Sequence, residues 1–352
     1  MKRMINLMVA VFMIGMLFVG CSSKEEASKN DAKGDVKPKT EQNANPKEEG
    51  KKKVVAMVPK VIGSPYFDIC AEGAQKAADE LGIEFIYNGP TSADAAQQVN
   101  IIQDLIFKKV DVIAVSPNDP AAVNPILKKA KAAGIKVLTF DADADKEIRD
   151  IFVSQVDNEA LGRHIMDNVA KGIGEEGQFA ILTASLTAAN QNTWIKWMKE
   201  QLKDKYPNVE LVTIVPSEED QMKAFSQTQN LIKAYPDLKA IAALSTVAEP
   251  GAAQAIEQMN MIGKIKLYGL ATPNGMRQYL KSGAAESATL WDPGKLGYLT
   301  VQVANEILAG NEIKDGQEIS EVGKIKYIPE EKTVIMGDPL DFTKDNVDNY
   351  DF

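Results

Sequence analysis

Histidine and cysteine are almost missing from this chain. Its 352 residues hold one histidine, His164, and two cysteines, Cys21 and Cys70. A single imidazole has no second histidine to share a zinc ion and no partner set for activating a nucleophile. His164 lies in "EALGRHIMDNVAKG", three residues after Leu161 and one before Ile165, which is a structural position inside a helix. Two cysteines make no internal disulfide framework, least of all if Cys21 is modified. Cys70 falls on an apolar helical face and reads as a small buried hydrophobe. An excess of positive charge is missing too. The 40 Lys and Arg are outnumbered by 49 Asp and Glu, for a net charge of −9. No basic patch interleaved with aromatics is present, which excludes nucleic acid as the expected partner. Nucleotide and hydrolase motifs are absent as well. The glycines of "GIGEEG" (172–177) do not follow a first strand, and there is no Walker lysine motif and no G-x-S-x-G elbow.

What is present begins with an export pattern. "MKR" supplies positive charge, "MINLMVAVFMIGMLFVG" an apolar run, and Gly20 stands directly before Cys21. Polar sequence follows at once without a stop-transfer segment, so residues 1–20 read as a signal peptide. A cysteine at that cut site resembles a bacterial lipobox, with Phe18 where leucine is usual. Lipidation of Cys21 would tether the mature protein to the outer face of the membrane. An ordinary signal peptide with an incidental cysteine is the alternative. Residues 21–53 contain one Val and no larger apolar residue. Such a stretch cannot bury enough surface to offset chain entropy and is expected to be a disordered tether.

About 300 residues follow, enough for two domains or one large one. Short Val- and Ile-rich runs alternate with stretches whose apolar residues recur every three or four positions. The strand candidates are 54–58, 84–87, 112–116, 136–140, 151–154, 179–183, 210–215, 240–244, 265–270 and 286–291. Helices fit between nearly all of them, and "DICAEGAQKAADELG" and "AAVNPILKKAKAAG" each close on a glycine suited to a C-cap. Continuous apolar strands alternating with helices predict parallel sheets covered on both faces. One sheet of so many strands would be unusually wide. The expected fold class is therefore α/β, with two doubly wound parallel-sheet lobes joined by a three-segment hinge. The N-terminal lobe is assigned 54–156 and 292–322, and the C-terminal lobe 157–291 and 323–352. Crossings are expected near 155–158, near 292 and between 310 and 325.

Ligands of such sheets bind beyond the carboxyl ends of the strands. The residues just past each apolar run are Lys60, "SPND" (116–119), Asp141 with Asp143, "ASLTAANQNTW" (184–194), "STVAEP" (245–250), "ATPNG" (271–275), and Trp291 with Asp292. Polar and aromatic groups thus collect at one edge of both lobes. Lysine is costly to bury among apolar groups, but Lys60 at a strand end can face a polar cleft. Lys60 donates, Asp141 and Asp292 accept, and Asn190 and Gln191 do both, which suits the hydroxyls of a neutral polyol. Tyr66, Phe67 and Trp291 offer flat faces for its C–H surfaces. Each residue has a plainer reading. Lys60 could be a solvated lysine, Asp141 a turn residue and Asn190 a helix cap. Ser245 and Thr246 also suit capping, and Asp292 before Pro293 could be only a cap. Tyr66, Phe67 and Trp291 could be packing residues. Asp141 and Asp143, two apart at a strand end, give weak support for acid–base chemistry or a metal site, and neither metal nor cofactor is expected.

The export pattern, the tether and the two lobes resemble the type I periplasmic binding proteins that feed ABC transporters. "VPKVIGSPYF", "YNGPTS", "VSPNDP", "VLTFDAD", "ANQNTW", "GLATPNGMRQYLKSG", "LWDP" and "FTKDNVDNYDF" are similar to the Lsr-type autoinducer-2 receptors. "SPNDP" and "NQNTWI" are equally similar to rhamnose-binding receptors. The likeness spans nearly all of 54–352. It implies a small branched, hydroxylated furanose without boron as ligand. It implies contacts from Lys60, Asp141, Asn190 (where that family has Asp) and Gln191. It implies further contacts from Leu244 and Thr246, where the family has Pro-x-Ala. It also implies a permease as partner, an extracytoplasmic, lipid-anchored location and no enzymatic activity; a monomer is expected. A rhamnose, other deoxy-sugar or pentose receptor is the alternative. A LacI-type regulator would need a DNA-binding helix-turn-helix where this chain has its export pattern. A secreted hydrolase would have to use Asp141 and Asp292.

Overall fold

The computed structural model describes residues 52–352. The expected signal peptide, Cys21 and nearly all of the expected tether lie outside them. The first set of elements alternates as the apolar pattern dictates. It runs β1 (Val54–Val58), α1 (Pro65–Leu81), β2 (Glu84–Tyr87), α2 (Ala95–Lys108), β3 (Val112–Val115), α3 (Pro120–Ala132), β4 (Lys136–Phe140) and β5 (Ile151–Ser154). The second set runs α4 (Asn158–Gly172), β6 (Gly177–Thr183), α5 (Ala189–Lys205), β7 (Val209–Pro216), α6 (Gln221–Ala234), β8 (Leu238–Ala243), α7 (Ala248–Gln258), β9 (Lys266–Leu270), α8 (Pro273–Ser282) and β10 (Ser287–Leu290). After α9 (Pro293–Ala309) come five short strands: β11 (Glu318–Ile319), β12 (Gly323–Lys324), β13 (Lys326–Ile328), β14 (Thr333–Ile335) and β15 (Leu340–Phe342).

Helix starts follow local chemistry. Asp94, Asp119, Asp157 and Asp292 each accept two backbone N–H bonds in the first turn of α2, α3, α4 and α9. Pro120 and Pro293 sit where a missing N–H costs nothing. Gly82, at φ 67°, caps the end of α1 as expected. Helix α3 stops one residue earlier than its glycine, at Ala133, and Gly134 takes the left-handed turn at φ 84°.

The strands form two main sheets. The first has the order β13-β14-β5-β4-β3-β1-β2 and the second β15-β10-β9-β8-β6-β7. Within each, the strands of the βα repeats pair in parallel, and both sheets gain an antiparallel edge strand, β13 and β15. The strand interiors are buried: Val55 to Val58, Val112 to Val115 and Phe179 to Leu182 are all at most 1% exposed. These are the two parallel-sheet lobes that the periodicity predicts.

The lobe boundaries need one correction. Strand β14 pairs in parallel with β5, and β13 pairs with β14, so 326–335 belongs to the first sheet and not to the second lobe. Only β15 returns to the second sheet. The chain therefore crosses after Ser154, between Leu290 and Pro293, and between Ile335 and Leu340. The third crossing lies beyond the expected 310–325. These strands are two or three residues long, too short to carry a periodic signal.

Helix α9 returns to the first lobe and packs against α1 at very short range. A Cβ on Gly73 would lie 1.9 Å from the Gly294 carbonyl oxygen, and one on Gly297 would lie 1.8 Å from that of Cys70. Glycine is what lets the two backbones touch.

Candidate functional site

The carboxyl ends of both sheets border one narrow cavity. Its free space, counted out to the open mouth, is about 370 Å³. Lys60, Tyr66, Phe67 and Asp141 line it from the first lobe, and Asn190, Gln191, Leu244 and Thr246 from the second. Trp291, at the second crossing, completes the wall.

Lys60 is buried at 3% exposure. Its backbone is fixed from behind by two side chains. Asn118 Nδ2 donates to the Lys60 carbonyl at 2.8 Å. Gln98, fully buried on α2, donates to the Pro59 and Ser116 carbonyls at 3.0 and 2.8 Å and accepts from Asn118 N. The ammonium then reaches across the cavity. It donates to Asn190 Oδ1 at 3.1 Å and stands 3.5 Å from Asp141 Oδ2. A buried cation is tolerable only with such partners.

Asp141 takes the left-handed backbone region, φ 59°, at the end of β4. Among residues with a Cβ, Asp adopts this more readily than most. Its turn role and its cleft role thus coexist. Oδ1 accepts from Tyr66 OH at 3.1 Å, and Oδ2 accepts from Ser116 Oγ at 2.8 Å and from Asn190 Nδ2 at 3.5 Å. Burial, reinforced by the Asp141 carboxylate, holds the Tyr66 phenol well above its usual range, so it keeps the proton it donates. Trp291 Nε1 in turn donates to Tyr66 OH at 2.9 Å. Phe67 packs edge-on against Tyr66, with ring centroids 4.9 Å apart.

Asn190 is not the cap of α5; that position is Ala188, without a side-chain bond. Gln191 Oε1 is occupied by Thr183 Oγ1 at 2.5 Å and Ala184 N at 2.6 Å, which leaves its amide nitrogen for the cavity. Ser245 reaches back to Ala248 N at 3.2 Å while also lining the cavity.

Two aspartates separate from this group. Asp292 does not line the cavity; it caps α9, accepting from Gly294 N at 2.8 Å and Lys295 N at 3.2 Å. The expectation that it binds ligand is corrected, since an Asp before Pro at a helix start finds two unpaired N–H groups within reach. Asp143 instead pairs with buried Arg149 through both oxygens, at 2.6 and 2.8 Å. Arg149 also donates to the carbonyls of Lys332 and Glu331, which ties the strand end to the β13–β14 hairpin. Among the described residues no group of three His, Cys, Asp or Glu stands close enough to hold a metal ion.

Sequence reasoning missed Ser64, Trp194 and Glu219 as lining residues. Glu219 lies just past β7, so the strand-end rule points to the segment "PSEED" but not to which of its acids faces the cavity. Trp194 sits one helical turn after Asn190, on the same buried face.

Residues 55–312 match the model of the periplasmic binding protein domain. Over 265 residues the chain is 26% identical to the ribose import binding protein RbsB of Escherichia coli K12, covering 75% of this chain and 87% of that one. Among solved structures, LsrB from Clostridium saccharobutylicum in complex with AI-2 superposes with a TM-score of 0.79 at 30% identity, over 85% of this chain and all of that one. A solute-binding protein of an ABC transporter from Clostridium phytofermentas with bound L-rhamnose gives a TM-score of 0.81 at 29% identity, over 85% and 98% of the two chains. The chain belongs to the periplasmic binding protein family, a family of receptors and not of enzymes.

Proposed function

We propose that this protein is the extracytoplasmic receptor of an ABC transporter, and that it captures autoinducer-2, a small hydroxylated furanose, between its lobes. The observation that carries the reading is the convergence of Lys60 and Asp141 from one lobe with Asn190 and Gln191 from the other on one cavity. Donors and acceptors alternate there beside aromatic faces, the arrangement a neutral polyol requires. Lys60, Asp141 and Gln191 keep the residue types that the resemblance to autoinducer-2 receptors implies. Asn190 removes a charge and Thr246 adds a hydroxyl relative to that pattern. This supports a second reading, a receptor for L-rhamnose or a related deoxy or pentose sugar, and the rhamnose-bound neighbour is as similar in fold. On either reading the receptor acts as a monomer, hands its ligand to a permease, and is held at the membrane by lipid on Cys21.

Calorimetric titration with autoinducer-2, L-rhamnose, D-ribose and D-arabinose tests the proposal. Autoinducer-2 is expected to bind most tightly; tighter binding of L-rhamnose moves the assignment to the second reading. Asp141→Ala is expected to weaken binding by about 2–5 kcal/mol, because it leaves Lys60 buried without its carboxylate. Unchanged affinity in that variant would remove the cleft from consideration.

A further inference from the structure

The turn from Ser217 to Asp220 joins β7 to α6. Glu218 and Glu219 both take the left-handed backbone, at φ 55° and 53°, a region that favours glycine. The turn is fastened on either side. Ser217 donates to the Thr183 carbonyl through N at 2.7 Å and Oγ at 3.2 Å, and Glu218 N donates to the Ala184 carbonyl at 2.6 Å. Asp220 caps α6 through Lys223 N at 2.7 Å. Thr183 and Ala184 are the residues that also hold Gln191 in place. Between these anchors the half-buried Glu219 side chain enters the cavity shared by Lys60, Asp141 and Gln191.

The two cavity carboxylates differ in what they have left to offer. Asp141 already accepts from Tyr66, Ser116 and Asn190 and pairs with Lys60. Glu219 shares the cavity wall with Ser245, Lys60 and Asp141. A carboxylate has about four lone-pair sites, so Glu219 retains most of its acceptor capacity. A fixed, strained backbone that aims such a group into a cleft fits a binding role better than a packing role.

We propose that Glu219 is a ligand-contacting carboxylate of the second lobe, accepting a hydrogen bond from a ligand hydroxyl as Asp141 does from the first lobe. The ligand must then present hydroxyl donors to both lobes. This inference rests on the reading of the cleft as a polyol site.

Titration of wild type, Glu219→Gln and Asp141→Asn with autoinducer-2 and L-rhamnose across a pH series tests it. Glu219→Gln keeps the shape and is expected to weaken binding of the preferred ligand by about tenfold or more. Burial raises the Glu219 carboxyl above its ordinary value of 4.5, with Asp141 and Glu218 adding to the rise and Lys60 and Ser245 opposing it. Wild-type affinity should therefore fall as acidification protonates Glu219, and Glu219→Gln should lose that branch of the profile. A merely structural role would weaken binding equally at every pH. If Glu219→Gln binds like wild type with the same profile while Asp141→Asn is impaired, Glu219 is no contact and the polyol site stands. If the wild type binds neither compound nor D-ribose, both readings fall together.

Discussion

At the scale of single residues, an ionisable group is placed either by a partner or by strain. Lys60 shows the first case, Glu219 the second, and Asp141 combines both. Glu249 fits neither. It is fully buried in the first turn of α7, and neither carboxylate oxygen has a hydrogen-bond partner among the described residues. Burial pushes its carboxyl well above the ordinary value of 4.5. A folded-state value raised in this way gives stability that is complete below the unfolded value and lost as pH rises through the folded one. Glu249→Leu is expected to stabilise the protein by about 1–3 kcal/mol near neutral pH and to remove this alkaline loss, both read from denaturant melts across pH. The sequence reveals Lys60 and Asp141 because each directly follows an apolar run. It does not distinguish Asp292 the cap from Asp292 the ligand contact, because both roles need an Asp at a strand-to-helix turn. "PSEED" hides Glu219 among exposed acids, and only the folded turn separates it from Glu218.

Between elements, backbone proximity and ion pairs decide which contacts hold. The α1–α9 seam depends on Gly73 and Gly297, whose missing side chains leave room for the opposing carbonyls. Gly297→Ala forces the helices apart and is expected to cost about 1–3 kcal/mol, visible as a lowered melting temperature. His164 on α4 meets Asp341 on β15, with Nε2 2.8 Å from Oδ2. This pairing gives the lone histidine its structural role. The Asp341 bond raises the His164 pKa above 6.5 against the opposing effect of burial. Burial acts upward on Asp341, but bonds from His164 and Thr289 outweigh it and bring its value below 3.8. The histidine contribution is full below 6.5 and fades as pH rises through the folded value, whereas the aspartate contribution is full above 3.8 and fades on acidification. The stability difference between wild type and His164→Asn is thus expected to peak between those limits. It will be small, since both side chains are more than a third exposed, at 36% and 39%. The long βα repeats were legible because ten or more residues of periodic pattern outweigh local accident. Strands β11 to β15 were not, because two or three residues carry no period and their pairing is set by the lobe they land on.

For the whole molecule, bonds between the lobes converge on the cleft. Lys60 reaches Asn190, Trp291 reaches Tyr66, and Thr187 Oγ1 reaches the Asn118 carbonyl at 3.3 Å. Hinge closure in periplasmic binding proteins is a known mode of domain motion. Two of the three tryptophans, Trp194 and Trp291, line the cavity, while Trp197 lies under Arg163 and Lys196. Ligand addition is expected to change tryptophan emission. Trp194→Phe and Trp291→Phe should each reduce the change, and Trp197→Phe should leave it intact. Family membership places the body outside the cytoplasm, and no described helix is long and apolar enough to cross a membrane.

Strand β14 lies between β13 and β5, although nearly 180 residues of chain separate it from β5. The earliest-made half of the protein therefore waits for almost the last-made segment before its sheet is finished. Until Ile335 emerges from the ribosome, the open edge of β5 offers unpaired backbone groups to any neighbouring chain. Messages cut short before that point should yield insoluble product and not a working half-receptor.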